Sequence, residues 1–356
     1  MRPLIRAIIC LLFLVPSFAQ ENSSKKESDS KAAQTPAASS PQTASQQPSA
    51  KPKEQPKFYQ PEGPDPTQTI AHEHSVTDML DVVPFTSKIF HNTRMLRVFL
   101  PGNYFSPHNR TRRYPVLFLQ DGQNVFDKAT SSTGKEWEAD ETVDHLVSEF
   151  KIHPMFIVGI DNAGEQRTSE YLSYPDSHNP QFQSSTPPEL EGTKYAEFLI
   201  KEVMPFLQKR YRIATGAENT GIGGSDYGAI VSLTTALHHP GIFGKLLLES
   251  PSLWVGDGKV LAEVQKAKLL PQKIYMGIGT NEAGNPDSEA LILKYFTDME
   301  QILKDKGLGS SRLKAVVEGG GQHNEEAWAR RFPDALLFLY GPTKASAGIS
   351  GKHGSD

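Results

Sequence analysis

Apolar-rich stretches of strand length recur along the chain, at 95–100, 116–119, 155–160, 245–248, 274–278 and 313–317. Within them apolar residues tend to run on rather than alternate with polar ones, which predicts strands buried on both faces. Longer stretches with helical periodicity lie between them. The clearest is 195–211, where Phe198, Leu199, Val203, Phe206 and Leu207 share one helical face and predict a single helix. Strands alternating with helices predict an α/β domain, with a mostly parallel central sheet and helices on both faces. In such sheets chemistry gathers at the carboxyl ends of the strands. Residues that directly follow an apolar run therefore carry the most weight.

The ends of the chain have a different character. Arg2 and Arg6 introduce an apolar run at 7–16, and Ser17-Phe18-Ala19 is a small-x-small cleavage pattern. Residues 1–19 read as a secretory signal peptide, so the expected location is secreted or periplasmic. The run is too short to span a bilayer. Cys10, the one cysteine, lies inside it, so the mature chain is expected to hold no disulfide and no thiolate metal site. Residues 20–68 are mostly Ser, Ala, Gln, Lys and Pro, with eight of the 26 prolines between Pro36 and Pro66. They hold too few large apolar side chains to offset ordering entropy and read as a disordered linker. Residues 69–341 remain as one α/β domain, and 342–356 read as a disordered tail. A net charge of −4 over 356 residues points to neither nucleic acid nor an acidic membrane as a partner.

Candidate chemistry centres on Gly224-Ser225-Asp226-Tyr227-Gly228, between a short strand at 220–224 and an apolar helix at 229–237. A nucleophile elbow reads G-x-S-x-G, with small residues two before and two after the nucleophile because strand and helix pack closely around a strained turn. Here the middle residue is aspartate. His323 lies in Glu318-Gly319-Gly320-Gly321-Gln322-His323, a Gly-rich loop after the last apolar run, where a hydrolase triad places its general base. The acid that orients it is expected after the preceding run: Glu282 is the first choice and Asp287 the second. An oxyanion hole needs the backbone N–H after the nucleophile, here Tyr227. It also needs one from the loop Gln120-Asp121-Gly122-Gln123-Asn124, with Gln123 the favoured donor.

At these residues the chain resembles the esterase family of the α/β-hydrolase superfamily, which includes enterochelin-esterase-like and feruloyl- or acetyl-xylan-esterase-like proteins. The resemblance covers about 75–339. It is carried by Asn92-Thr93-Arg94, Leu100-Pro101, Tyr114-Pro115-Val116-Leu117, Asp121 to Asp127, Trp137, Asp140 and Gly159-Ile160-Asp161-Asn162. Arg167, Glu170-Tyr171, Ser250-Pro251-Ser252-Leu253-Trp254, His323-Asn324-Glu325 and Trp328 complete it. The family implies the α/β-hydrolase fold, hydrolysis of carboxylic esters by a Ser-His-acid triad, and a site lined by Asp121, Arg167, Glu170 and Trp254. The departure is the nucleophile. Gly228 and the helix after it put Asp226 in the serine slot. Ser225, the alternative nucleophile, would require a shift of one residue, placing Tyr227 where the second glycine belongs and turning the serine side chain from the site.

Three readings follow. The chain is an esterase-family hydrolase with altered or weak chemistry, a non-catalytic homologue that binds a ligand in the same cleft, or a hydrolase with an Asp nucleophile acting on saturated carbon. The third resembles haloalkane dehalogenases and epoxide hydrolases in its elbow alone. A structural or partner-binding domain on a tether is a fourth. The expected ligand is a small-molecule or carbohydrate-linked ester, with no cofactor and no metal. His72, Glu73 and His74 read as an exposed entrance to the domain rather than metal ligands. His238-His239 reads as a helix end, and Trp328 and Phe332 as core of the last helix. The long polar loop at 162–188 is a candidate lid or ligand-facing surface.

Overall fold

The computed structural model describes residues 80–342. The signal peptide at 1–19, the linker at 20–68, the start of the domain at 69–79 with His72 and His74, and all but the first residue of the tail lie outside the described residues.

Eight strands make one sheet: β1 Leu80–Thr86, β2 Thr93–Phe99, β3 Val116–Gln120, β4 Phe156–Ile160, β5 Thr220–Ser225, β6 Lys245–Glu249, β7 Lys273–Asn281 and β8 Leu313–Gln322. Their order is β1-β2-β4-β3-β5-β6-β7-β8. β1 and β2 pair antiparallel, as do β2 and β4, and every other pair is parallel. The helices are α1 Ala139–Ser148, α2 Arg167–Tyr171, α3 Gly192–Glu197, α4 Met204–Arg210, α5 Tyr227–His238, α6 Lys259–Lys266, α7 Pro286–Asp305 and α8 Glu325–Tyr340. This is the mostly parallel α/β arrangement that the alternation of elements predicts, in the α/β-hydrolase form that the resemblance implies.

The apolar runs are buried on both faces, as their lack of alternation requires. In β3, Val116 and Phe118 join one core while Leu117 and Leu119 join another. In β6, Leu246 and Leu248 face the first core and Leu247 the second. Residues of α3 to α7, among them Tyr195, Ile230, Val264 and Phe296, cover the first face. Those of α1 and α8, including Val143, Phe332 and Leu336, cover the second. Trp137 packs there between Trp328 and Phe332, with ring centroids 5.8 and 5.7 Å away. Among the described residues no helix is long and apolar enough to cross a membrane.

The structure differs from the sequence reading in three respects. β1 is an added edge strand, and Pro84 within it is tolerated because an edge strand has one unpaired side. The helix expected over 195–211 is broken into α3, a π-helical stretch at Phe198–Val203, and α4. Pro205, just inside α4, has no N–H to donate to the preceding turn, so regular i→i−4 bonding cannot run through it. Finally, β7 and β8 run further than their apolar cores. The run Gly319-Gly320-Gly321 belongs to β8, not to a loop. A Cβ on Gly279 would lie 2.0 Å from the Gly321 carbonyl oxygen, so glycine is what lets the two strands stay this close beyond a register shift. His323 follows this extended strand directly.

Candidate active site

Asp226 is the single residue between β5 and α5, with φ 54° and ψ −125°. A non-glycine residue in this region costs about 1–3 kcal/mol and persists where its surroundings over-determine it. Its N–H donates to the Glu249 carbonyl at 3.1 Å, and its own carbonyl accepts from Ile230 N–H at 3.3 Å. A Cβ on Gly224 would sit 2.9 Å from the Gly228 backbone, and one on Gly228 would sit 3.0 Å from an Asp121 oxygen. The elbow therefore has its small residues where the spacing predicts, and Asp226 holds the strained position. Ser225 is the last residue of β5. It is buried and borders the same cleft as Asp226 and His323. That cleft has a volume of about 290 Å³.

The base and acid come from the ends of β8 and β7. His323 Nδ1 lies 2.7 Å from Glu282 Oε2. Glu282 Oε1 accepts from Gly279 N–H at 2.6 Å and from Ser250 Oγ at 2.8 Å. The Ser250 hydroxyl in turn accepts from Trp328 Nε1 at 2.9 Å. Glu282 is thus the group that orients the imidazole. Asp287, the second choice, stands exposed in the first turn of α7. On the other side of the ring, His323 Nε2 faces Asp226 Oδ1 at 3.8 Å.

Arg167 changes the character of the site. It is not a free lining residue: its guanidinium binds Asp121 through Nε and Nη2 at 2.8 and 2.9 Å and reaches Asp226 Oδ2 from Nη1 and Nη2 at 3.2 Å. Ser252 Oγ donates to Asp226 Oδ1 at 2.5 Å. Burial would raise the Asp226 pKa, but the charges of Arg167 and His323 and these hydrogen bonds hold it below its ordinary value. Burial likewise pulls His323 down, yet its bond to Glu282 and the charges of Asp226 and Glu282 leave it raised. For Glu282, burial is outweighed by His323, and its pKa is lowered.

These shifts set a pH window. The two depressed carboxylates stabilise the fold above their ordinary values of 3.8 and 4.5, and that stability is lost as pH falls through their folded values. The raised histidine stabilises it fully below 6.5, and that part is lost as pH rises through its folded value. The Tm difference between the wild type and Asp226→Asn is therefore expected to be largest between about pH 4.5 and 6.5 and to shrink on both sides. A difference that keeps growing to alkaline pH contradicts the pairing with protonated His323.

The remaining sequence candidates divide. Gln123 borders the cleft, where its side-chain oxygen accepts from the Asn162 N–H at 3.2 Å. Asp121 is buried in a left-handed turn at φ 56° and serves as the fixed partner of Arg167. Glu170 is not a lining residue. It is buried against Arg94 at 2.7 Å and Asn92 at 2.7 Å, because an unpaired carboxylate beneath α2 would be costly. Trp254 borders a neighbouring cavity rather than the Asp226 cleft. Ser250 and Ser252 enter the sequence reading only through the resemblance, although Ser250 directly follows β6 and Ser252 lies two residues beyond it, where strand-end reasoning places chemistry. Asp176 in the 162–188 loop gave no sequence signal. It accepts from the Tyr227 hydroxyl at 2.7 Å and from Trp254 Nε1 at 3.2 Å. Among the described residues no group of acidic, His or Cys side chains is arranged to hold a metal ion.

Comparison with known proteins agrees with this fold. The uncharacterized protein YbbA of Bacillus subtilis (strain 168) is 23% identical over 255 residues, which cover 71% of this chain and 95% of YbbA. Among solved structures, a ferulic acid esterase superposes with a TM-score of 0.55 at 17% identity, covering 73% of this chain and 97% of that one. The enterobactin esterase FES of Shigella flexneri superposes with a TM-score of 0.54 at 16% identity, covering 75% of this chain and 60% of that longer one. At such identities the structural likeness shows the fold. A family model described as "Putative esterase" matches residues 87–339, and the chain belongs to that family.

Proposed function

We propose that this protein is an exported member of the esterase family that binds a small carboxylic ester, or a fragment of one, without turning it over by serine chemistry. The observation that carries this reading is the state of the Asp226 carboxylate. One oxygen accepts from Ser252 and faces His323, and the other is shared by two nitrogens of Arg167.

The chemistry follows from that arrangement. A carboxylate with a depressed pKa is a weak nucleophile. If it did attack an ester carbonyl, the tetrahedral intermediate would expel the carboxylate far more readily than an alkoxide and return to substrate. Its fixed charge also opposes an oxyanion forming a few ångströms away. The same ion pairing argues against an Asp nucleophile for saturated carbon, where an oxygen lone pair must be free to attack. The ester class comes from the family and from the esterases that share the fold, and export from the signal read at 1–19.

Purified wild-type protein is expected to show neither a burst nor steady turnover on p-nitrophenyl acetate, and to resist labelling by a fluorophosphonate that modifies activated serines. Robust turnover that disappears in Ser225→Ala would overturn the reading and restore a serine nucleophile one residue earlier.

A further inference from the structure

A basic recess lies at the far end of the sheet from Asp226, at the amino ends of β6, β7 and β8. It is a cavity of about 400 Å³ bordered by Lys245, Lys273, Arg312, His153, Glu218 and Tyr340. Lys245 and Lys273 are the first residues of β6 and β7 and stand opposite each other in the parallel register. Arg312 directly precedes β8, and its carbonyl accepts the Ile274 N–H at 2.8 Å, which brings it beside Lys273. Neighbouring strands lie about 4.8 Å apart, so the three cations form one short row. Leu247 and Tyr275, two residues further along their strands, face the α8 side of the sheet, and the two lysines share that face. We propose that this cavity binds a phosphate dianion, free or carried as a monoester by a small molecule.

The contacts of the three cations leave them short of counter-charge. Lys314, two residues beyond Arg312, meets Asp334 at 2.5 Å. Among the described residues Lys245, Lys273 and Arg312 form no such ion pair and bond main-chain carbonyls instead. Lys245 Nζ donates to the Glu218 carbonyl, and Lys273 Nζ to the Phe338 carbonyl at 2.7 Å. Arg312 donates through Nε and Nη2 to the Gln272 and Pro271 carbonyls, both at 3.0 Å. An ammonium has three hydrogens, so each lysine keeps two for a ligand, and Arg312 keeps Nη1. Burial pushes the Lys245 pKa down to about 8, with the Lys273 charge adding to the effect, and burial lowers Lys273 as well. Half-buried cations placed side by side are costly, and an anion between them offsets that cost.

Charge sets the class of ligand. Three cations less the one bordering carboxylate, Glu218, leave an excess of two positive charges with His153 neutral. A carboxylate cancels half of that excess, whereas a phosphate monoester carries about −1.5 to −2 at pH 7 and cancels most of it. The volume falls in the range of small-molecule sites. A nucleic-acid strand would need a longer run of phosphate contacts than three cations in a recess provide. Leu339 and the ring of Tyr340, whose centroid is 4.9 Å from Lys245 Nζ, give the cavity an apolar wall for the carbon skeleton of an ester. The recess is separate from the Asp226 cleft, so the proposal does not depend on what that cleft binds.

The test uses the full protein at constant ionic strength, with inorganic phosphate, glycerol 3-phosphate and acetate as probes, read by calorimetry and by NMR of the lysine side chains. Inorganic phosphate is expected to bind with a Kd in the millimolar range and to raise the Lys245 pKa by about one unit or more. Acetate should bind at least about tenfold more weakly. Glycerol 3-phosphate binding about tenfold tighter than phosphate assigns the site to a monoester, and equal binding assigns it to free phosphate. Lys245→Met and Lys273→Met are each expected to weaken phosphate by about tenfold or more. Arg312→Gln, at a partly exposed position, should weaken it by about threefold or more, and keeps the test valid if a lysine variant fails to fold. The proposal falls if phosphate does not bind the wild type, if acetate binds equally, or if Arg312→Gln and the folded lysine variants keep full affinity. Affinity lost in Arg167→Met but kept in Lys245→Met would place the anion in the Asp226 cleft and also overturn it.

Discussion

Asp226→Ser is expected to convert the protein into an esterase, with turnover of p-nitrophenyl acetate about 10³-fold or more above the wild type. The backbone already has the elbow geometry, with φ 54° and ψ −125° at this residue. His323 is already oriented by Glu282 at 2.7 Å. Its Nε2 faces the position from which a serine hydroxyl would donate, now 3.8 Å from Asp226 Oδ1. Removing the carboxylate also removes a charge that raises the imidazole pKa. The His323 pKa should fall, so more of the base is neutral at pH 7. The Tyr227 amide, directly after the elbow residue, is placed to serve a developing oxyanion. Activity should rise with pH through the imidazole pKa and vanish in Asp226→Ser/His323→Ala. If the serine variant is folded yet inert, the His323–Glu282 pair is not the base and acid of a latent catalytic frame.

The largest expected effect on stability belongs to Arg331→Met. Arg331 lies beneath the site, with Nε 2.8 Å from Glu249 Oε2 and Nη1 2.6 Å from Glu318 Oε2. The Arg331 and Glu249 side chains are 4% and 0% exposed. Burial pushes the Glu249 pKa up to about 7, with Arg331 pulling against it. Truncating one partner of a buried pair costs about 3–5 kcal/mol because the other charge is left without compensation. That is a large share of a typical stability of about 5–15 kcal/mol, and the expected fall in Tm is on the order of 10 °C. The sign with pH follows from linkage. An unfolded carboxyl ionises near 4.5, while the folded one keeps its proton to a higher pH. Stability is therefore lost as pH rises between those values, and the loss should steepen in the variant. Glu249→Met combined with Arg331→Met should recover most of the deficit, since two apolar side chains leave no buried charge. A single variant that melts within a degree of wild type at pH 8 would show that Glu249 is solvated when the protein is unliganded.

The consequence reaches the site. The Glu249 carbonyl receives the Asp226 N–H, and Arg331 Nη2 lies 3.4 Å from the Ser250 hydroxyl that steadies Glu282. The strained elbow and the acid are thus fixed to the same buried ion pair. No sequence pattern signals this: Glu249 reads as the polar end of an apolar run, and Arg331 as one charge on an amphipathic helix.

What the sequence determined by itself is local and periodic. Consecutive apolar residues required strands buried on both faces, as Val116 to Leu119 illustrate. The glycines on either side of Asp226 required an elbow, because a Cβ at Gly224 or Gly228 would crowd its neighbours. Chain order brought Asp226, Glu282 and His323 into one expectation, and the structure places them together. What only tertiary structure decided is which charges meet. Arg167 spans Asp121 and Asp226 across separations of 46 and 59 residues. The same packing removed Glu170 from the cleft, moved Trp254 to a neighbouring cavity and revealed Asp176 as the anchor of its walls. Side-chain periodicity is written in neighbouring residues, whereas ion pairing depends on loops that return to the sheet from distant parts of the chain. For that reason the sequence could name an aspartate in place of a nucleophile, but only the fold could set that aspartate between an arginine and a histidine.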